Sequence, residues 1–207
     1  TGPTTAAPTP TANAANVISI FSDAYTNVAG TNLNPGWGQA TVATQVSVAT
    51  NNTLKYAGLN YQGIELGSAQ DVSGKNTLHV DYWTADATAL QVFLISPGPV
   101  EKNYDFTITK NAWTSVDIPL TAFAGPALNN IFQLKFVGNG TVYIDNLYFN
   151  GAATPPPTSS IGPIDFEPAG KGAAYTWNVF ENDTPPMEIV ANPSVSGINV
   201  SSTVAKM

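Results

Sequence analysis

The stretch LHVDYWT, residues 78–84, sets a histidine, a carboxylate and a tryptophan at alternate positions. Alternate side chains of a strand share a face. His79, Asp81 and Trp83 then point one way, and Leu78, Val80 and Tyr82 point toward a core. Two further strings repeat the arrangement. LQVFLIS (90–96) turns Leu90, Val92 and Leu94 inward and Gln91 and Phe93 outward. FQLKF (132–136) turns Phe132, Leu134 and Phe136 inward and Gln133 and Lys135 outward. If the three strands share a sheet, its open face carries His79, Asp81, Trp83, Gln91, Phe93, Gln133 and Lys135. That is an aromatic platform among hydrogen-bonding groups. A sugar ring matches it, with an apolar C–H face for the indole and a rim of hydroxyls for amides and carboxylates. The competing reading is that a loop covers Trp83, which then serves packing.

Other aromatic residues offer alternatives. NPGWGQ (34–39) sets Trp37 between two glycines, which leaves the indole bare and lets backbone approach a ligand. Trp37 is then a second platform, or else a plug closing one end of the fold. Trp113 opens NAWTSVDIPL, where Val116, Ile118 and Leu120 are in core phase, so its role reads as structural. Tyr25, Tyr61 and Tyr104 either line a groove or pack at strand ends.

One string points to a metal. In TVYIDNLYF (141–149) Val142 and Ile144 share a phase, and Leu147 and Phe149 take the opposite one. The slip falls at Asp145-Asn146 and implies a bulge. IFSDAY (20–25) supplies Asp23 at the end of the first strand. First and last strands of a sandwich are often neighbours. Asp23 and Asp145, with backbone carbonyls, would then form a hard-oxygen site for Ca2+. Two solvated turn carboxylates are the other reading.

Catalytic readings find less support. Glycoside hydrolysis needs two positioned carboxylates. The 14 acids include no closely spaced pair on a strand with aromatic neighbours. His79 is the only imidazole, and no G-x-S-x-G accompanies it. Phosphate-loop and dinucleotide fingerprints are absent. A net charge of −7, with 7 scattered basic residues, argues against nucleic acid. Cysteine is absent, which excludes disulfides and thiolate metal sites. No run is long and apolar enough for a membrane helix, so no membrane insertion is expected. The chain reads as a non-enzyme.

The elements that must position these residues are short strands. VISIF, TLKYAGL, GIELG, TLHVDYWT, LQVFLIS, YDFTIT, TSVDIPL, FQLKFVG and TVYIDNLYF are rich in β-branched and aromatic residues, with Gly, Asn, Asp and Pro between them. The spacing predicts an all-β fold, an antiparallel two-sheet β-sandwich of jelly-roll type. Hydrophobic residues make up 43% of the 207, enough for its core. Residues 1–16, TGPTTAAPTPTANAAN, read as an extended Thr/Pro/Ala-rich linker with almost nothing to bury. GAATPPPTSS at 151–160 reads as a second linker, bracketing a module at 17–150. Residues 161–207 read as the N-terminal part of a second β-sandwich module, because IDFEPAGKGAAYTW loosely repeats the opening of the first. The Thr/Pro-rich start without Met reads as a piece of something larger.

LHVDYWTAD, NAWTSVDIPLTAF, IFQLKFVG and TVYIDNLYF, in this order, resemble the β-sandwich carbohydrate-binding modules of secreted bacterial proteins. Such modules are attached to polysaccharide-degrading enzymes and to surface glycan-binding proteins. The resemblance covers 17–150, and YIDNLYF is its most specific part. It implies a polysaccharide as partner and a secreted or bacterial cell-surface location; Asp81, bonding hydroxyls without recruiting a cation, points to a neutral one. It also implies a structural calcium ion held by Asp145, with Asp23 near the first strand. For the last segment it implies Glu167 as the counterpart acid and Trp177 as a platform. Sugar contacts in these families lie on the concave sheet face or on edge loops, so the resemblance does not choose between Trp83 and Trp37. The other function class is a structural module of an extracellular adhesin or filament, in which the same fold carries protein contacts.

Overall fold

The computed structural model describes residues 2–151, 188–193, 195 and 202–206. The chain divides into two units, Thr1–Thr154 and Pro155–Met207. In the first, alternating strings form strands β1 (Val17–Phe21), β2 (Val42–Val48), β3 (Asn51–Ala57), β4 (Tyr61–Gln70) and β5 (Thr77–Thr84). They continue as β6 (Leu90–Ser96), β7 (Val100–Asp105), β8 (Thr114–Pro119), β9 (Ile131–Gly138) and β10 (Val142–Asn150). All pair antiparallel, in two sheets. Sheet A runs β2-β3-β10-β5-β8, with β1 beside the second half of β10; sheet B runs β4-β9-β6-β7.

The inward phases of both sheets meet in one core. Leu78, Val80 and Tyr82 of sheet A and Val92, Leu94, Leu134 and Phe136 of sheet B are fully buried there. Each such aliphatic side chain contributes about 1.5–3 kcal/mol by leaving water. The phase slip in β10 is a bulge. Pairing with β5 shifts between Asp145 and Tyr148, and Asn146 takes a left-handed φ of 45°. Asn146 and Leu147 together stand opposite Val80, and Leu147 and Phe149 thereby return to the core side.

β10 is buried on both faces. The core covers one face. The other lies under the N-terminal tract at Tyr143 and Tyr148, and against the β2–β3 turn at Asp145. Tyr25 donates to the Ala12 carbonyl at 2.8 Å, Trp113 Nε1 to Thr5 at 2.8 Å, and Asn146 Nδ2 to Pro8 at 2.9 Å. The tract read as a linker is thus laid on sheet A. Its composition hides this because it docks through carbonyls and contributes few apolar side chains.

In the second unit β11 (Glu188–Ala191) and β12 (Thr203–Lys206) pair antiparallel. Glu167 and Trp177 lie outside the described residues, as does nearly all of 151–160. Among the described residues no helix is long and apolar enough to cross a membrane.

Candidate functional site

The seven residues assigned to one face belong to two. β5 lies in sheet A, whereas β6 and β9 lie in sheet B. His79, Asp81 and Trp83 are therefore separated from Gln91, Phe93, Gln133 and Lys135 by the thickness of the core. Alternation tells inside from outside but does not name the sheet. In this topology the chain crosses the core between β4 and β5, and again between β5 and β6. Strands with one pattern are thus dealt to opposite layers.

Sheet B has an outer face built in rows. Glu65, Gln133 and Ile95 stand opposite one another, with Glu101 next on β7. Gly63, Lys135, Phe93 and Asn103 form the second row, and Tyr61, Val137, Gln91 and Asp105 the third. The loop between β1 and β2 reaches this face. Asn32 pairs with Glu65 through two backbone hydrogen bonds of 2.8 and 2.9 Å. Thr41 Oγ1 donates to the Tyr61 carbonyl at 2.7 Å.

That loop sets Trp37 on the sheet. A Cβ built on Gly63 would stand 2.4 Å from Trp37 Cε3 and Cζ3, so the indole rests on a strand position that lacks a side chain. Trp37 Nε1 donates to Glu65 Oε1 at 2.8 Å, and Tyr61 Oη donates to the Trp37 carbonyl at 2.8 Å. With its nitrogen satisfied, the half-buried ring offers only carbon surface to a groove of about 490 Å3. Tyr61, Ile95 and Val137 supply further apolar surface there, and Gln133, Lys135 and Glu101 supply polar groups. Lys135 Nζ donates to both Glu101 oxygens, at 2.7 and 2.9 Å, and lies 4.2 Å from the Phe93 ring centre. Its charge is met within the site. Gln133 leans on Glu65 at 3.4 Å. Gln91 is engaged elsewhere, donating to Asp105 at 2.5 Å.

The sequence reading missed Glu65, Gly63 and Glu101. Gly63 carried a signal, since glycine inside a strand marks close approach of another group. Glu101 carried none, because its ion pair depends on which strands are neighbours.

The outer face of sheet A is different. Trp83 is only 8% exposed and meets Tyr143 edge to face at 5.6 Å. Trp113 precedes Thr114, the partner of Tyr82, and so stands beside Trp83 in the register. The open-platform reading of Trp83 is corrected by this cover. His79 stacks on Tyr148 at 4.6 Å between two carboxylates, Asp117 at 2.8 Å and Asp81 at 3.2 Å. Burial alone would lower its pKa, but the hydrogen bonds and charges of Asp81 and Asp117 outweigh that and hold it raised. Asp81 is buried, with one oxygen on His79 and the other accepting from Asn146 at 2.7 Å. These groups are taken up by one another. A cavity of about 260 Å3 remains between them and Pro8–Ala12.

Asp145 and Asp23 come together through the β2–β3 turn. The Asn51 amide donates to Asp145, and Asn52 donates to Asp23 through its backbone at 2.8 Å and its side chain at 3.0 Å. Asp145 is buried, and burial pushes its carboxyl up to about 6, reinforced by the charges of Asp81 and Asp23. Its recorded partners are neutral donors. Among the described residues no group of three His, Cys, Asp or Glu is set to share a metal. Carboxylate oxygens are the donors a hard cation takes, and one bound here would relieve the buried charge.

No family model and no curated protein matches the chain. Among solved structures it is similar to a family 11 carbohydrate-binding module from Clostridium thermocellum in complex with a β-1,3-1,4-mixed-linked tetrasaccharide. The two share 20% identity with a TM-score of 0.49, over 66% of this chain and 95% of that one. A family 30 carbohydrate-binding module of a cellulosomal cellulase of Clostridium thermocellum matches at 16% identity and a TM-score of 0.48, over 66% and 98%. A family 29 module complexed with mannohexaose matches at 14% identity and a TM-score of 0.45, over 64% and 89%.

Proposed function

We propose that the chain is a non-catalytic module that binds a neutral polysaccharide across the outer face of sheet B, within a larger secreted or cell-surface protein. Trp37 is the observation that carries this reading. It lies flat on Gly63, its nitrogen is satisfied, and its carbon face lines a groove with Gln133, Lys135 and Glu101. Stacking and hydroxyl recognition are then available side by side. The groove carries two carboxylates against one ammonium, so an anionic chain gains nothing there. Affinity electrophoresis of the full chain in gels of neutral β-glucan, mannan and xylan, with pectin as the anionic control, tests it. Retardation by a neutral polymer is expected; retardation by pectin alone would sink the reading.

Gly63 gives a sharper check. Gly63→Ala puts a methyl group into the indole and lifts it, while alanine otherwise costs a strand no more than glycine does. The affinity should fall about tenfold or more, as if 1.4 kcal/mol of stacking were lost. Unchanged affinity would mean that ring position does not matter.

We also propose that Asp145 and Asp23 hold a structural Ca2+. Without metal the chain should melt higher at pH 5 than at pH 8. The Asp145 carboxyl, raised from 3.8 to about 6 in the fold, binds its proton more tightly folded than unfolded, so stability falls as pH climbs through that window. His79, raised above 6.5, adds stability that is present below that value and lost as pH passes its folded pKa. Calcium needs the ionised carboxylate and should reverse the trend. A hundredfold excess over its dissociation constant adds about 2.7 kcal/mol, and a fixed calcium concentration adds more at pH 8 than at pH 5. Thermal melts with calcium and with chelator at both pH values decide it. An Asp145→Ala chain that still gains from calcium would exclude this assignment.

A further inference from the structure

The outer face of sheet A meets residues 2–12 with three donors drawn from three separate parts of the fold. Trp113 Nε1, ahead of β8, reaches the Thr5 carbonyl; Asn146 Nδ2, on the β10 bulge, reaches Pro8; Tyr25 Oη, in the β1–β2 loop, reaches Ala12. All three read backbone. The tract belongs to no strand ladder, so these bonds are not a sheet extension. With prolines at 3, 8 and 10 it lacks three N–H donors and keeps every carbonyl. A face that offers donors suits such a segment.

Two of the donors also have partners within the body of the fold. Asn146 is 4% exposed, sits at a left-handed φ, and is bonded to Asp81 and to Ser22 Oγ. Tyr25 packs edge to face on Tyr148 at 5.2 Å. Proline fixes φ, so the segment loses little freedom on docking. It also carries no charge, and it crosses His79, Asp81 and Asp117, which are already matched to one another.

We propose that this face is a docking site for an extended Thr/Pro-rich segment, filled by the chain's own residues 2–12 and able to accept the same segment from a second copy. Aromatic side chains and backbone-directed donors acting on a proline-rich strand are a general recognition mode.

The test keeps the whole chain. A protease recognition sequence placed after Asn13, in the exposed stretch before β1, allows the folded protein to be cut. The freed segment should stay with the body on size exclusion. A fluorescent peptide of residues 1–13 should bind the cut protein saturably, and an unlabelled peptide should displace it. The uncut protein, whose site is filled, should bind far less. Trp113→Phe removes the N–H donor and keeps an aromatic ring; affinity for the peptide should drop about fivefold, the worth of one hydrogen bond. If the cut protein keeps its melting transition and the peptide shows no saturable binding, the proposal fails. If cutting abolishes the transition, added peptide must restore it, and failure to do so is equally fatal.

Discussion

Trp37→Ala should remove most polysaccharide binding and leave the melting temperature nearly where it was. Central aromatic anchors of binding sites are worth about 2–4 kcal/mol on truncation, which corresponds to roughly thirty- to a thousandfold in affinity. The fold has little stake in this ring. It is half-buried, it sits outside the inter-sheet core, and it rests on a glycine. Its backbone anchors survive the change, because Tyr61 bonds the carbonyl and not the indole. Glu65 loses a partner but stands where water can replace it. Trp37→Phe separates the two parts of the role. It keeps a ring on Gly63 and loses the bond to Glu65, so intermediate affinity is expected. Titration calorimetry with a soluble neutral oligosaccharide, beside a thermal melt of each variant, reads both quantities. Full affinity in a folded Trp37→Ala protein would move the site off sheet B.

The strands were legible because burial on one face writes a period of two into the chain. The bulge was legible for the same reason: Val142 and Ile144 lose phase with Leu147 and Phe149, and only an irregular residue pair restores it. What alternation does not contain is partnership. β5 and β6 have the same pattern and lie in different sheets, since both layers bury one face against one core. The ion pair of Lys135 with Glu101 was hidden by that ambiguity, and so was the division of the polar face into two. Trp37 was legible from its glycines. The other half of its seat, Gly63, lies 26 positions away in GIELG. There a glycine inside a strand was the signal, but nothing in the string said which group approaches it. The N-terminal tract was misread for a physical reason as well. Composition reports the surface that side chains can bury, and this tract docks through carbonyls, which every residue possesses.

Trp83→Ala should do the opposite of Trp37→Ala. The indole lies on the outer side of β5, yet it is as hidden as many core residues, with Tyr143 against its face and Trp113 beside it in the register. Removing a buried tryptophan costs about 3–5 kcal/mol, the lost transfer plus the cavity left behind. For a unit of this size that is a fall in melting temperature on the order of 10 °C. The loss should reach further than one ring. Tyr143 is also where Gly2 touches the sheet, and Trp113 is the donor to Thr5, so the hole opens beneath the start of the tract. Polysaccharide affinity, measured below the new transition, should be unchanged, because sheet B and its loop touch none of these atoms. Trp83→Phe should recover part of the stability by refilling part of the space. The two alanine variants form a pair, each moving one quantity and leaving the other. A Trp83→Ala protein that melts normally and no longer binds sugar would return the site to sheet A and require the tract to leave that face when the ligand arrives.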